Sequence, residues 1–198
     1  VIPAESVPLL DCSVNDVLVR FAAKEPAPGG GAAAAFAAAM AAGLLGMVAR
    51  FSTKQLIDSA GRAAQADRFR NRVAALAEQD ADAYQAVLSA YALPRESNPE
   101  ARREQIRYTL ERAAQVPAEI AEAASGIAIE AVQLAERGNS NLRGDAFTAA
   151  TLAAAAARSA AELVRLNVEL GDLDGDLADR AARVADVAAD AVAELSRS

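Results

Sequence analysis

Residues 69–90 read FRNRVAALAEQDADAYQAVLSA, and their periodicity decides the fold. Phe69, Val73, Leu76, Asp80, Ala83, Val87 and Ala90 recur at spacings of 4, 3, 4, 3, 4 and 3. That is one stripe of a 3.6-residue helix; a half-buried strand would alternate every second residue. The spacing predicts a helix over roughly Asp58 to Leu93, which Pro94 ends. One member of the stripe does not belong there on hydrophobic grounds. Asp80 puts a carboxylate on an apolar face, which is costly unless the group is paired or functional. Tyr84, one turn later on the same side, is placed to hydrogen-bond it. Asp82 lies about 200° further round the helix and is expected to be solvated.

Upstream, Glu25-Pro26-Ala27-Pro28-Gly29-Gly30-Gly31 cannot be helix interior. It separates a short helix, capped by Ser13 with Asp16 three residues on and running to about Lys24, from a second helix. That second helix starts near Gly31 and reaches about Phe51. Gly29, Gly30 and Gly31 lead straight into its N-terminus. Free amides and the helix dipole there favour an anionic or polar group, and glycine lets a ligand approach the backbone. A tight turn before an Ala-rich helix is the plainer reading of the same residues.

Downstream, Asn98-Pro99 opens a fourth helix that should run to about Arg137, kinked at Pro117. The polar loop Gly138-Asn139-Ser140-Asn141-Leu142-Arg143-Gly144 follows, with Asp145 as a natural N-cap of a fifth helix to about Leu170. Asn167 sits among Leu163, Leu166 and Leu170, so its amide should find a partner across the bundle. A turn over Gly171 to Gly175 leads into a final helix over Asp176 to about Ser196. The expectation is one all-α domain over residues 1–198, an antiparallel bundle of about six Ala-rich helices without a sheet.

Composition agrees with that architecture and excludes several functions. Hydrophobic residues make up 53% of the 198 and aromatics only 4%. Such a core is built of Ala, which favours helices and brings their backbones close. The uncharged faces at Ala32–Ala42 and Ala149–Ala157 are too small to build a large core alone, so a homodimer burying part of the second or fifth helix is expected. The chain has no His, which excludes imidazole bases, Ser-His-Asp triads and His-metal sites, and one Cys cannot make a zinc site; no metal is expected. Cys12 is read as a reduced, buried thiol. The net charge is −7, and eight acids against two arginines lie between Glu169 and Glu194. That argues against nucleic acid and anionic membrane as partners. Ala32 to Ala49 is 18 residues without a charge, but mostly Ala and Gly, and reads as a buried core helix rather than a membrane span. No signal peptide is visible at the N-terminus, and a cytoplasmic setting is expected.

Several of these segments, taken in order, resemble the cyclodeaminase/cyclohydrolase family. Pro26-Ala27-Pro28-Gly29-Gly30-Gly31 with its Ala-rich run is similar to the family's opening. Leu76-Ala77-Glu78-Gln79-Asp80-Ala81-Asp82-Ala83-Tyr84 resembles its conspicuous Asp segment, followed by Leu93-Pro94 and Ala114-Gln115-Val116-Pro117. Gly138-Asn139-Ser140-Asn141 with Asp145 looks like its Gly-Asn loop, and Leu166-Asn167-Val168 like its Asn-Val segment. The resemblance covers roughly residues 13 to 171. Three positions depart from it: Phe51–Leu56 keeps a single lysine, Lys54, of a Gly-Lys-Lys-x-Tyr-like stretch; Gly144 replaces a Ser; and Gly171 stands where a second Asn often follows.

The resemblance implies a helical dimer with its site near the interface, acting on a tetrahydrofolate derivative without a metal or redox cofactor. It implies Asp80 as the catalytic carboxylate, Asp145 assisting, and substrate contacts from Pro28, Gly29, Gly30, Gly31, Lys54, Tyr84, Asn139 and Asn167. Two activities fit. A methenyltetrahydrofolate cyclohydrolase opens the methenyl ring to 10-formyltetrahydrofolate, and a formiminotetrahydrofolate cyclodeaminase closes the formimino compound with loss of ammonia. The chain carries no formiminotransferase domain to channel from, which favours the cyclohydrolase. A non-catalytic folate-binding or scaffolding helical dimer is the reading from another class.

Overall fold

The structure, a computed structural model, describes residues 7–95 and 98–197. It contains α1 (Val14–Ala22), α2 (Gly30–Arg50), α3 (Ser59–Tyr91), α4 (Pro99–Arg137), α5 (Arg143–Gly171) and α6 (Asp176–Arg197). Two 3-10 turns, Leu9–Asp11 and Ser140–Leu142, complete it, and the described residues form no strand. The all-α bundle of six Ala-rich helices is therefore as the sequence pattern has it.

The helix starts follow from side-chain chemistry. Ser13 Oγ accepts the Asp16 N–H at 3.2 Å and donates to Asp16 Oδ2 at 2.6 Å, so the N-cap hydroxyl is held from both sides. Asn98 accepts the Ala101 N–H at 3.1 Å, with Pro99 in the first turn where a missing N–H costs nothing. Two expectations shift. α1 stops at Ala22 rather than near Lys24, because the chain turns extended at Ala23 ahead of Pro26. α5 starts at Arg143, so Asp145 lies inside its first turn instead of capping it. The Ser140–Leu142 turn hands the chain to α5 already wound, and no side chain caps that end. α4 runs unbroken through Pro117, which is buried.

α2 and α3 lie antiparallel: Ala32 near the start of α2 meets Asp80, while Arg50 at its end pairs with Asp67. α4 and α5 do the same, with Asn167 bonded to the Ala113 carbonyl. The core lies between these two hairpins, and α6 covers the outer side of α4 and α5. α5 buries Ala146, Ala149, Ala150, Ala153, Ala156, Ala157, Ala160 and Ala161, a face with no larger side chain until Val164. Small side chains allow close helix contact, and Leu45, Ile120, Ile127 and Leu134 fill the space that remains.

α2 is long and apolar enough to cross a bilayer, with a mean hydropathy of 2.0. Yet 56% of that window is buried, against α3, α4 and α5. Its uncovered side is informative. Ala33, Ala37, Met40, Leu44, Met47 and Phe51 recur at spacings of 4, 3, 4, 3 and 4 and are exposed or half-buried, Met40 at 60% and Phe51 at 61%. This is an apolar seam of the kind a second helix covers. α1 buries no residue of its own and touches the bundle through Phe21, whose ring meets Phe36 edge-on at 6.3 Å.

Candidate active site

The N-terminus of α2 presents amide hydrogens without intrahelical partners, and its cap residue, Gly29, has no side chain to satisfy them. α3 supplies the missing acceptor. The Ala32 N–H donates to Asp80 Oδ2 at 3.1 Å, so Asp80 caps α2 from a neighbouring helix. Its partner is this amide and not the Tyr84 hydroxyl that one-turn spacing suggests. Tyr84 stands at the mouth of the site, 44% exposed. Asp82 is exposed, as its place on the helix predicts.

A cleft of about 330 Å³ opens over this carboxylate. Gly29, Gly30 and Gly31 form one wall and Asp80, Ala81 and Tyr84 a second. Leu163, Leu166, Asn167 and Leu170 from α5 close it. The Asn167 amide donates to the Ala113 carbonyl at 3.0 Å, which fixes the side chain across the α4–α5 seam. The lining is mostly apolar, with Asp80 its only carboxylate and no lysine or arginine among the described residues that form it. Few polar groups in a largely apolar concavity is the usual make-up of a small-molecule site.

Burial pushes the Asp80 carboxyl above the ordinary aspartate range, because the low-dielectric cleft disfavours the charged form. The Ala32 N–H bond acts the other way and offsets part of that shift. One oxygen is thus anchored while the group is brought closer to neutrality. A carboxyl in that condition can both take up and release a proton, and its charged form attracts a cation.

The structure divides the expected site residues into three groups. Asp80, Gly29, Gly30, Gly31, Tyr84 and Asn167 share the cleft. Pro28 faces an adjoining depression with Arg20, Glu25 and Glu78, on the other side of the same loop, whose Ala27–Pro28 peptide is cis. Lys54, Asn139 and Asp145 are elsewhere. Asn139 donates its side-chain amide to the Phe51 carbonyl at 3.2 Å, just beyond the C-terminal end of α2. Its backbone N–H donates to the fully buried Ser52 Oγ at 2.9 Å, and Ser52 donates to the Val48 carbonyl at 2.8 Å. Gly30 and Asp80 therefore lie at one end of α2 and Asn139 at the other, so within a single chain the residues that the resemblance implies do not form one site. α2 spans 21 residues, about 30 Å, between the two loops. Missed in the sequence were the roles of Leu163, Leu166 and Leu170. Their spacing of 3 and 4 along a helix with exposed charges was the available signal, since Leu166 and Leu170 remain 39% and 65% exposed at the cleft rim.

The fold and site together define a helical-bundle protein with a perturbed carboxylate at a glycine-rich helix start. Sequence comparison gives that class a family. The family described as formiminotransferase-cyclodeaminase matches residues 13–186, and the chain belongs to it. It is 32% identical over 165 residues to the methenyltetrahydrofolate cyclohydrolase of Methylorubrum extorquens, covering 79% of each chain. Its fold matches the formiminotetrahydrofolate cyclodeaminase of Thermotoga maritima with a TM-score of 0.80, at 24% identity over 96% of this chain and 94% of that one.

Proposed function

We propose that this protein is a methenyltetrahydrofolate cyclohydrolase, converting 5,10-methenyltetrahydrofolate and water to 10-formyltetrahydrofolate. The observation that carries the reading is Asp80, the sole carboxylate among the described residues that line the cleft, anchored through one oxygen and raised toward neutrality. The substrate's imidazolinium is a delocalised cation, and the charged Asp80 is the group that attracts it. Water adds to the ring carbon and loses a proton, for which Asp80 is the acceptor. The C–N5 bond then breaks as N5 takes that proton back from Asp80, while the hydroxyl on the carbon releases its remaining proton to solvent and becomes the carbonyl of the formyl group left on N10. A base that becomes an acid within one turnover needs a pKa near the working pH, which is the direction in which burial moves Asp80. Ring opening by water transfers no electrons, so the reaction calls for no redox cofactor. The leucines of α5 fit the flat faces of the pterin and benzoyl groups.

The family's other chemistry, closure of 5-formiminotetrahydrofolate with loss of ammonia, would use the same carboxylate to protonate the leaving amine. The two are told apart by the methenyl chromophore. Incubation with methenyltetrahydrofolate should make its absorbance decay faster than in buffer, and incubation with formiminotetrahydrofolate should not make it grow. Growth with the second substrate alone would establish the cyclodeaminase; no change with either would leave a binding or scaffolding protein.

The reading includes a homodimer. Two copies of α2 laid antiparallel along the Ala33–Phe51 seam set Met40 opposite Leu44 and Ala33 opposite Phe51. The same register carries Lys54 of the partner subunit toward Gly30. The anionic glutamate tail of the substrate would there find the cation that the cleft's own lining lacks.

A further inference from the structure

The three glycines at the start of α2 are not equivalent, and their surroundings separate their roles. A Cβ added at Gly29 would meet nothing closer than the Pro26 carbonyl at 3.9 Å, and one at Gly30 nothing closer than Leu163 Cδ1 at 3.8 Å. Both are ordinary contacts. A Cβ added at Gly31 would lie 2.0 Å from Asp80 Oδ1, 2.3 Å from Cγ and 2.5 Å from Oδ2. The whole carboxylate occupies the volume that a side chain at Gly31 would take. Gly31 is buried, and the next residue, Ala32, supplies the amide that holds Oδ2. No positive φ is involved at any of the three, so the requirement is steric and not conformational.

We propose that Gly31 is a positioning residue for Asp80: its missing side chain is the socket in which the carboxylate docks on the first turn of α2. This replaces direct substrate contact as the role of Gly31, and it rests on the reading of Asp80 as the proton-transferring group. The carboxylate is set by three features acting together: the inward face of α3, the Ala32 N–H and the bare Cα of Gly31. A methyl group at residue 31 would force the carboxylate off the amide. The open side available to it is the cleft, where it would be better hydrated and its reach to the substrate altered. A displacement on the order of 1 Å costs about 10²-fold in rate.

The test combines a thermal double-mutant cycle with pH–rate profiles. Gly31→Ala should lower the melting temperature of the wild-type protein, yet leave it unchanged or raise it in an Asp80→Ala background, where the colliding group is gone. In the otherwise wild-type protein, Gly31→Ala should lower kcat about 10²-fold. It should also move the acidic limb of the kcat profile toward the ordinary aspartate range, because the displaced carboxyl is more hydrated. Gly61→Ala, on the same helix as Asp80 with nothing within 4 Å of its added Cβ, should leave kcat, profile and cycle alone. An additive cycle overturns the socket irrespective of activity. A coupled cycle with wild-type kcat and profile in Gly31→Ala overturns its positioning role while Asp80→Asn remains inactive. Full turnover in Asp80→Asn itself would instead remove the catalytic reading on which the proposal stands.

Discussion

Replacing Asp80 by Asn separates what the carboxylate does for the reaction from what it costs the fold. The amide keeps the side-chain shape and an oxygen for the Ala32 N–H, whose bond to Asp80 is 3.1 Å long. What disappears is the negative charge and the ability to carry a proton. Loss of a general acid–base group lowers rates by about 10²–10⁴-fold, equivalent to about 2.7–5.4 kcal/mol of transition-state stabilisation. The fold responds in the opposite sense. Burial holds the folded-state pKa of Asp80 above its unfolded value. The stability that this protonated carboxyl contributes is complete below the unfolded pKa, about 3.9, and is lost as pH rises through the folded pKa. Asn does not titrate. The melting temperature of Asp80→Asn relative to wild type should therefore rise with pH across that window and level off above it. Turnover is followed by the decay of the methenyl chromophore at pH 7, and melting is measured by circular dichroism from pH 4 to 8 in one buffer series. An Asn variant with near-normal turnover would end the catalytic assignment. A variant whose melting offset does not change with pH would show that Asp80 is not the desolvated group described above.

Three further substitutions probe separate parts of the structure. Ser52→Ala strands the Asn139 N–H in a buried site and should cost about 1–3 kcal/mol, read as a lower denaturant midpoint at unchanged m-value. Asn167→Ala removes a bond to the Ala113 carbonyl and a polar group from the cleft wall, and should raise KM several-fold with a smaller change in kcat. Met40→Glu places a charge in the middle of the exposed α2 seam; light scattering at micromolar concentration should show a monomer in place of the dimer proposed for the wild type, and an unchanged mass would refute that interface.

Much of this architecture is local and was legible for that reason. The stripe from Phe69 to Ala90 needs only the helix period, and Ser13, Asn98 and Pro99 act within a few residues of themselves. Asp80 was legible because a carboxylate on an apolar face has few inexpensive explanations. Its actual partner was not, since the Ala32 amide comes from a helix 48 residues away in the chain. That Asn139 and Asp145 lie away from Asp80 in one chain was not legible for a different reason. Both polar loops precede helices, which by itself invites one shared end. Counting helix directions gives the other answer: α2 and α5 run oppositely in an up-and-down bundle, so the loops that precede them lie at opposite ends. The antiparallel second copy proposed above would bring the two ends together.

The Ala-rich composition and the tuned carboxylate are parts of one solution. A chain without histidine has no side chain that titrates near neutrality unperturbed, so the proton transfer proposed for it calls for a carboxyl moved upward, and burial is the available means. Burial alone would leave the group unanchored and costly. A helix N-terminus anchors a carboxylate well but holds its pKa down through the amide bond and the dipole. At Asp80 the two effects are opposed, and desolvation is the larger. That balance requires the carboxylate to sit tight against the first turn of α2 without being wrapped by further amides. Close approach of α2 and α3 through alanines and one glycine achieves this. Bulkier interfacial residues would separate the helices and leave the carboxyl in water, where it would be an ordinary aspartate. The small residues that make each helix a weak contributor to the core are thus what allows one of them to present a desolvated carboxyl.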